Sequence, residues 1–417
     1  MFERAYRQRL DSDLIRWQAD GVITAEIGSA IRNALPPLGA GINIAVVVGI
    51  LGGLLIAAAF LAFIAANWTA IARPLRFAIL LAGIGAAYGI GAGFARAERP
   101  ILADLCASVG SIVFGAAIAL VGQMYHLGDD FAAGMLLWAS GALTAAALTG
   151  SRGALAVALA VGSLWSGTRA FEMAGVPHLP FALFWAFGAG LALAWTSRVA
   201  AHLVAIAALA WWIATAVAFT WRGSESPSLI VDGAALLLGA GLVIAGAPWD
   251  SMRAFGAALS AYGAFALAFM AALAAAVLSD SPSAFTNPPT WAAACGIAGA
   301  LLALAAAVLR GTGTALAGIA IAFVFIVAGK WITADEPWLS YALELVAMLF
   351  LVVSGMLDGA RPRIIAGWLG LAGVIAAITW TVHGSLLDRS IFLGISGAVA
   401  VALALLLGRL FPRESQS

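Results

Sequence analysis

The stretch "FGAAIALVGQMYHLGDD", residues 114–130, runs without charge from Phe114 to Val121 and then gathers Gln123, Tyr125, His126, Asp129 and Asp130 within a few positions. It reads as a helix leaving hydrocarbon for water. What decides the fold is that the pattern recurs along the whole chain. Of the 417 residues 63% are hydrophobic and only 10% charged, where an ordinary soluble domain is about a quarter charged. So few charges cannot cover the surface of a water-soluble protein of this size. A bilayer serves as solvent for the apolar excess. A formal net charge of +1, with no basic patch beyond the membrane edges, argues against nucleic-acid binding.

A spanning helix needs about twenty mostly apolar residues. Fourteen segments qualify, at roughly 43–66, 75–95, 102–122, 131–149, 153–170, 179–197, 201–221, 229–247, 254–278, 290–309, 312–332, 339–357, 363–382 and 390–410. The breaks carry turn chemistry, among them "ARPLR", "RAERP", "GVPHLP", "ADEPW" and "DGARPR". The expected fold is all-α, a polytopic transmembrane helix bundle of about 14 spans. Lys and Arg favour cytoplasmic loops. With the N-terminus inside, fifteen of the 21 basic residues fall on the inner side and six on the outer. Both termini are therefore expected in the cytoplasm, and the protein in the cell inner membrane. Gly85, Gly89 and Gly93 repeat every four positions, as do Gly49 and Gly53, a spacing that lets helices approach closely in lipid. Cys106 and Cys295 lie in apolar runs of opposite leaflets, so no disulfide is expected.

Residues 1–40 precede the first span. No cleavable signal sequence is expected among them, and five Arg balance five acidic residues there. Phe2, Tyr6, Leu10, Leu14 and Trp17 recur at helical spacing. Gly21 can end that helix, Thr24 can cap a second, and Ile27, Ile31 and Leu35 form the second one's apolar face. The expected element is a small cytosolic helical hairpin, too short to hold its own core and therefore suited to pack on the bundle or on a protein partner. Residues 41–170, residues 171–410 and a polar tail at 411–417 complete the expected organisation.

Three motifs stand in order in the first part of the chain: "LIRWQADGVIT" (14–24), "FIAANW" (63–68) and "FGAAIALVGQMYHL" (114–127), with Trp138 following. In this order they resemble the bacterial predicted membrane proteins grouped as domain of unknown function 2157. The resemblance covers the first 150 to 170 residues. It implies an integral membrane protein of bacterial type and supplies no activity.

Strongly polar residues inside or at the ends of spans are costly and so point to function. On the expected topology Asn67, Gln123, Tyr125, His126, Lys330 and Glu344 all fall toward the outer side. Glu344 is the sharpest, roughly 7 Å inward along its helix, with Lys330 one hairpin away as its expected partner. "AFLAFIAANWTAIARPL" (59–75) also overlays "AFVFIVAGKWITADEPW" (322–338) without a gap, matching Asn67 to Lys330, and parallel repeats occur in transporters. Three functions remain open. The first is a transporter or flippase-like protein with an outward-facing polar cavity lined by those six residues, taking a small-molecule or lipid substrate, with Glu344 or His126 carrying a coupling proton. The second is a membrane enzyme acting on a lipid-linked substrate at the outer surface, with His126 as general base beside Asp129 and Asp130. The third is a sensor or assembly scaffold with the N-terminal hairpin as output. Nucleophile-elbow, Walker A, His-Glu-x-x-His and Cys-x-x-Cys patterns are all absent from the sequence, and no cofactor is expected.

Overall fold

A computed structural model describes residues 2–34, 51–52, 55, 59, 62, 71–125, 130–173, 177–221, 228–280, 289–328 and 338–381. The chain divides into two units, Met1–Ala70 and Ile71–Ser417. In the first, α1 (Phe2–Ala19) ends where Gly21 takes φ 70°. The amides of Val22 and Ile23 both fold back on the Trp17 carbonyl at 2.9 and 3.3 Å. The chain then enters α2 (Ala25–Ala34), whose Ile27 amide donates to the Thr24 hydroxyl at 3.4 Å. The expected stop and cap are both present. Gly28 is buried against the Gln18 side chain, while on the expected apolar face Ile27 is half exposed, Ile31 partly buried and Leu35 outside the described residues. Glycine lets α1 come close on that side, and a guanidinium–carboxylate contact of 3.3 Å between Arg32 and Asp11 ties the two helices together.

Among the described residues of the second unit twelve helices follow: α3 (Arg73–Arg96), α4 (Pro100–Tyr125), α5 (Phe131–Thr149), α6 (Arg152–Glu172), α7 (Pro180–Ala194), α8 (Arg198–Trp221), α9 (Ser228–Ile244), α10 (Asp250–Asp280), α11 (Thr290–Arg310), α12 (Thr312–Ala328), α13 (Trp338–Leu357) and α14 (Arg361–Thr381). Each coincides with one of the expected spans from the second to the thirteenth. The first and fourteenth lie almost wholly outside the described residues. No strand occurs among the described residues. Nine of the helices are long and apolar enough to cross a membrane; α7, α9 and α12 are shorter. The chain is a multi-pass membrane protein.

Helix ends follow from local chemistry. Proline opens α4 and α7, Asp130 and Ser151 cap α5 and α6, and Gly150, Gly311 and Gly359 take positive φ at the turns. Asp104 of α4 also accepts from the Ser151 hydroxyl at 2.6 Å and the Gly153 amide at 3.1 Å, so one carboxylate secures the tight α5–α6 turn.

Two large cores dominate the described part of the unit. One draws on α5–α8, the other on α9 and α11–α14, and α10 serves both, with Phe255, Ala258 and Leu259 in the first and Ala264 to Ala275 in the second. At 31 residues α10 is about 46 Å long, enough to reach through both. The closest backbone-to-backbone approaches cluster on α9. A Cβ on Gly239 would lie 2.0 Å from the Gly299 carbonyl, and one on Gly263 would lie 2.5 Å from the Leu238 amide nitrogen. This is backbone-to-backbone packing of the kind small residues permit in lipid. No described residue lies within 4 Å of the would-be Cβ atoms of Gly85, Gly89 and Gly93, and most of the preceding span lies outside the described residues; in α3 Gly91 seats Cys106. Gly49 and Gly53 lie outside the described residues.

Candidate functional site

Of the six residues expected to line one cavity, Asn67, His126 and Lys330 lie outside the described residues, as do Asp129 and most of the two segments of the internal echo. Gln123 and Tyr125 stand exposed in the last turn of α4, a helix that packs on α3, α5 and α6. Glu344 is on α13, which packs on α10, α12 and α14. The main helix contacts therefore place Gln123 and Glu344 in different parts of the bundle.

Asp130 is fully occupied. It caps α5 by accepting from the Ala133 amide at 2.9 Å, and both of its oxygens accept from the Arg169 guanidinium at 3.1 Å. Arg169 also donates to Glu172 at 2.7 Å, so α5 and α6 are joined at this end. The Ala133 amide above all, helped by Arg169, holds the Asp130 carboxyl below its ordinary range although desolvation works the other way. Close by in sequence, His178 between α6 and α7 is buried with its ring edge-on to Trp165 at 4.6 Å. Its Nδ1 has no hydrogen-bond partner among the described residues. Burial, and then the Arg169 charge, push the imidazole below its usual value. In the sequence His178 is visible only as part of a turn.

The C-terminal core holds the sharper feature. Glu344 has no exposed surface, and neither Oε1 nor Oε2 has a hydrogen-bond partner among the described residues. It lies on the buried face of α13 with Ser340, Tyr341, Ala347, Met348 and Leu351. A second carboxylate, missed in the sequence, shares this condition: Asp232 of α9 is also without exposed surface, and both of its oxygens lack partners. The rule that singled out Glu344, an ionisable residue within a span, would have found it.

The surroundings of Asp232 are built by close packing. Its Oδ1 would lie 2.5 Å from a Cβ on Gly296, which would also meet the Phe325 ring at 2.6 Å. Only glycine at 296 leaves that volume to the carboxylate. On the other side, Trp212 of α8 lies over Gly233, donates its indole N–H to the Leu229 carbonyl, and meets Trp291 of α11 ring to ring at 6.2 Å.

The two carboxylates lie at the same end of the core. Asp232 pairs with Gly296 and Ala235 with Gly299, so α9 and α11 run parallel. The Gly311 turn reverses α12, and Thr314 donating to Asp358 at 3.2 Å sets α13 antiparallel to α12. Thus α9, α11 and α13 all start at one end, with Asp232 roughly 6 Å and Glu344 roughly 9 Å along their helices.

The opposite end provides a contrast. Arg363 is buried there, yet it donates to the Ser354 hydroxyl at 2.6 Å and to Asp358 at 2.7 Å, and Arg310 reaches the Leu242 carbonyl at 3.0 Å. At one end buried charge is paired; at the other two buried acids have no hydrogen-bond partner among the described residues. An ionised carboxylate is very unfavourable in such a place. Chemically the position suits a group that holds a proton, or that meets a cation during a working cycle.

No curated protein and no solved structure matches the chain. Residues 15–155 match the family described as predicted membrane protein (DUF2157), in the part of the chain that carries the "LIRWQADGVIT" and "FGAAIALVGQMYHL" motifs.

Proposed function

We propose that this protein is a secondary transporter or flippase-like protein of the bacterial inner membrane, coupled to protons through Glu344. The observation that carries the reading is the buried Glu344 carboxyl of the C-terminal core, which has no partner among the described residues. A carboxylic acid there weakens the fold and has no cap, salt bridge or hydrogen bond to form among the described residues. Membrane-embedded acids of this kind mark ion and proton pathways. The short helices α9 and α12 flank the same core, and discontinuous or short helices around a central site are a transporter habit. With the termini in the cytoplasm, Glu344 would exchange protons with the outer side. The wider outward-facing cavity of Asn67, Gln123, Tyr125, His126, Lys330 and Glu344 then narrows to the surroundings of Glu344. The enzyme reading gains nothing from Asp130, whose oxygens are engaged by Arg169 and Ala133.

The test uses the full-length protein in liposomes loaded with a pH-sensitive dye. A proton gradient is imposed and a panel of small solutes and labelled lipids is added. The expected result is gradient-driven movement of at least one class, with accompanying proton flux that Glu344→Gln abolishes while insertion stays normal. Proton-coupled movement undiminished in Glu344→Gln would overturn the role of Glu344. Absence of gradient-driven movement across the panel would count against transport.

A further inference from the structure

We propose that Asp232 is a second proton-binding site in the membrane core, separate from Glu344 and loaded from within the α9–α11–α12 junction. The inference goes beyond the transport reading and does not require it. Its basis is geometric. The carboxyl has no exposed surface and no hydrogen-bond partner among the described residues, and it occupies a gap that exists only because residue 296 has no side chain. A partnerless acid in a gap shaped by glycine is not a helix cap, an ion pair or a loop charge.

The chemistry of the neighbourhood selects the occupant. A metal cation needs several oxygen ligands around it. Asp232 faces the Gly296 backbone and the Phe325 ring, and no group of His, Cys, Asp and Glu able to hold a metal occurs among the described residues. A proton needs no further ligand: once bound it neutralises the acid and removes the cost of burying charge.

Few ionisable groups on the packed helices could perturb this site. From α11 only Cys295, next to Gly296, faces it. Helix α12 has no ionisable residue over its length. Helix α10 has none between Tyr262 and Asp280. It meets α9 with Gly256 against Gly241 and Gly263 against Leu238, so Asp232 falls opposite the apolar stretch from Leu267 to Ala271. On α8 the ionisable residues are Arg198 and His202, near the end of α8 remote from the Trp212–Leu229 contact.

The test is carbodiimide labelling of the full-length protein in liposomes. A protonated carboxyl adds across a C=N bond of the reagent, its proton passing to nitrogen; the O-acylisourea then rearranges to a stable N-acylurea that peptide mass spectrometry can locate. The expected result is an adduct on Asp232 with the lipid-soluble dicyclohexylcarbodiimide and little with a water-soluble carbodiimide. Its yield should fall about tenfold per pH unit on the alkaline side of the titration. Asp232→Asn should remove the adduct, and Glu344→Gln should leave it unchanged. Three results overturn the proposal: no adduct on Asp232 where Glu344 is labelled, a yield independent of pH, or protection by sodium or potassium at constant pH. Labelling of Asp232 in a protein that moves no solute would leave this site standing while the transport reading fails.

Discussion

Replacing Glu344 with methionine should make the protein more stable while disabling it. Burying a neutral polar group without a partner costs about 1–3 kcal/mol by protein mutational measures. Both Glu344 oxygens are in that state among the described residues. Methionine has nearly the same length, and its flexible thioether fills irregular gaps, here beside Tyr341, Ala347 and Met348. The expected gain for Glu344→Met is therefore about 1–3 kcal/mol, toward the lower end because the unfolded chain in a membrane also finds polar partners. Glu344→Gln leaves an unpaired amide in the same place and should change stability by less than about 1 kcal/mol. The assay is reversible unfolding in detergent micelles, followed by tryptophan fluorescence. The sign of the change is decisive. Were Glu344 held in a buried ion pair with Lys330, which lies outside the described residues, removing one partner would destabilise by about 3–5 kcal/mol. Destabilisation by Glu344→Met that vanishes in a Lys330→Met background would refute the reasoning.

At the opposite end of the same core the sign reverses. Arg363→Met strands Asp358 and the Ser354 hydroxyl, and should destabilise by about 3 kcal/mol in the same assay; adding Asp358→Asn should recover part of the loss. Asp104→Ala removes the acceptor for Ser151 and Gly153 at the α5–α6 turn, with an expected cost of about 1 kcal/mol read from the unfolding midpoint. His178 has a folded value below its ordinary 6.5, so the unfolded chain takes up its proton first as pH falls. Stability should decline from about pH 6.5 down to that lower folded value, and thermal midpoints of His178→Gln should lack this step. Asp130, depressed below 3.8, contributes stability above that value and loses it as pH falls through the folded one. Asp130→Asn should therefore flatten only the strongly acid part of the profile.

The helices were legible because apolar length and the residues that break it are local properties. Segments 131–149 and 290–309 were read almost to the residue, since Asp130, Gly150, Pro289 and Gly311 mark their ends. Segment 179–197 came out shorter because Thr196 turns the chain at φ 49° and Ser197 joins the next helix as a hydroxyl acceptor for the Ala200 amide. What faces what was far less legible. A helix apolar all round gives no sign of which side meets protein. Glycines recur in α3 as they do in α9 and α11, yet among the described residues it is those of α9 and α11 that meet another backbone directly. Arg363 reads as a loop cation in "DGARPR", although the chain folds it inward onto Asp358 and Ser354. The contacts of α9 with α11 and of α10 with α14 join segments that do not follow one another, and no local signal encodes them.

The matched family region and the candidate site separate along the chain, and that separation limits what the family can explain. The match ends at residue 155, near the start of α6. Three of its described polar residues have structural partners. Asp104 holds the α5–α6 turn, Asp130 caps α5, and Trp138 donates its indole N–H to the Ser111 carbonyl at 2.8 Å with its ring over Gly115. Each of these stabilises packing, so each has a reason to exist without any function. Asp232 and Glu344 have no such reason, because both weaken the core that contains them. A structural explanation therefore suffices for Asp104, Asp130 and Trp138 of the matched region and is missing, among the described residues, for two acids well beyond it. The chemistry specific to this chain is then to be sought at the end of the bundle where α9, α11 and α13 begin.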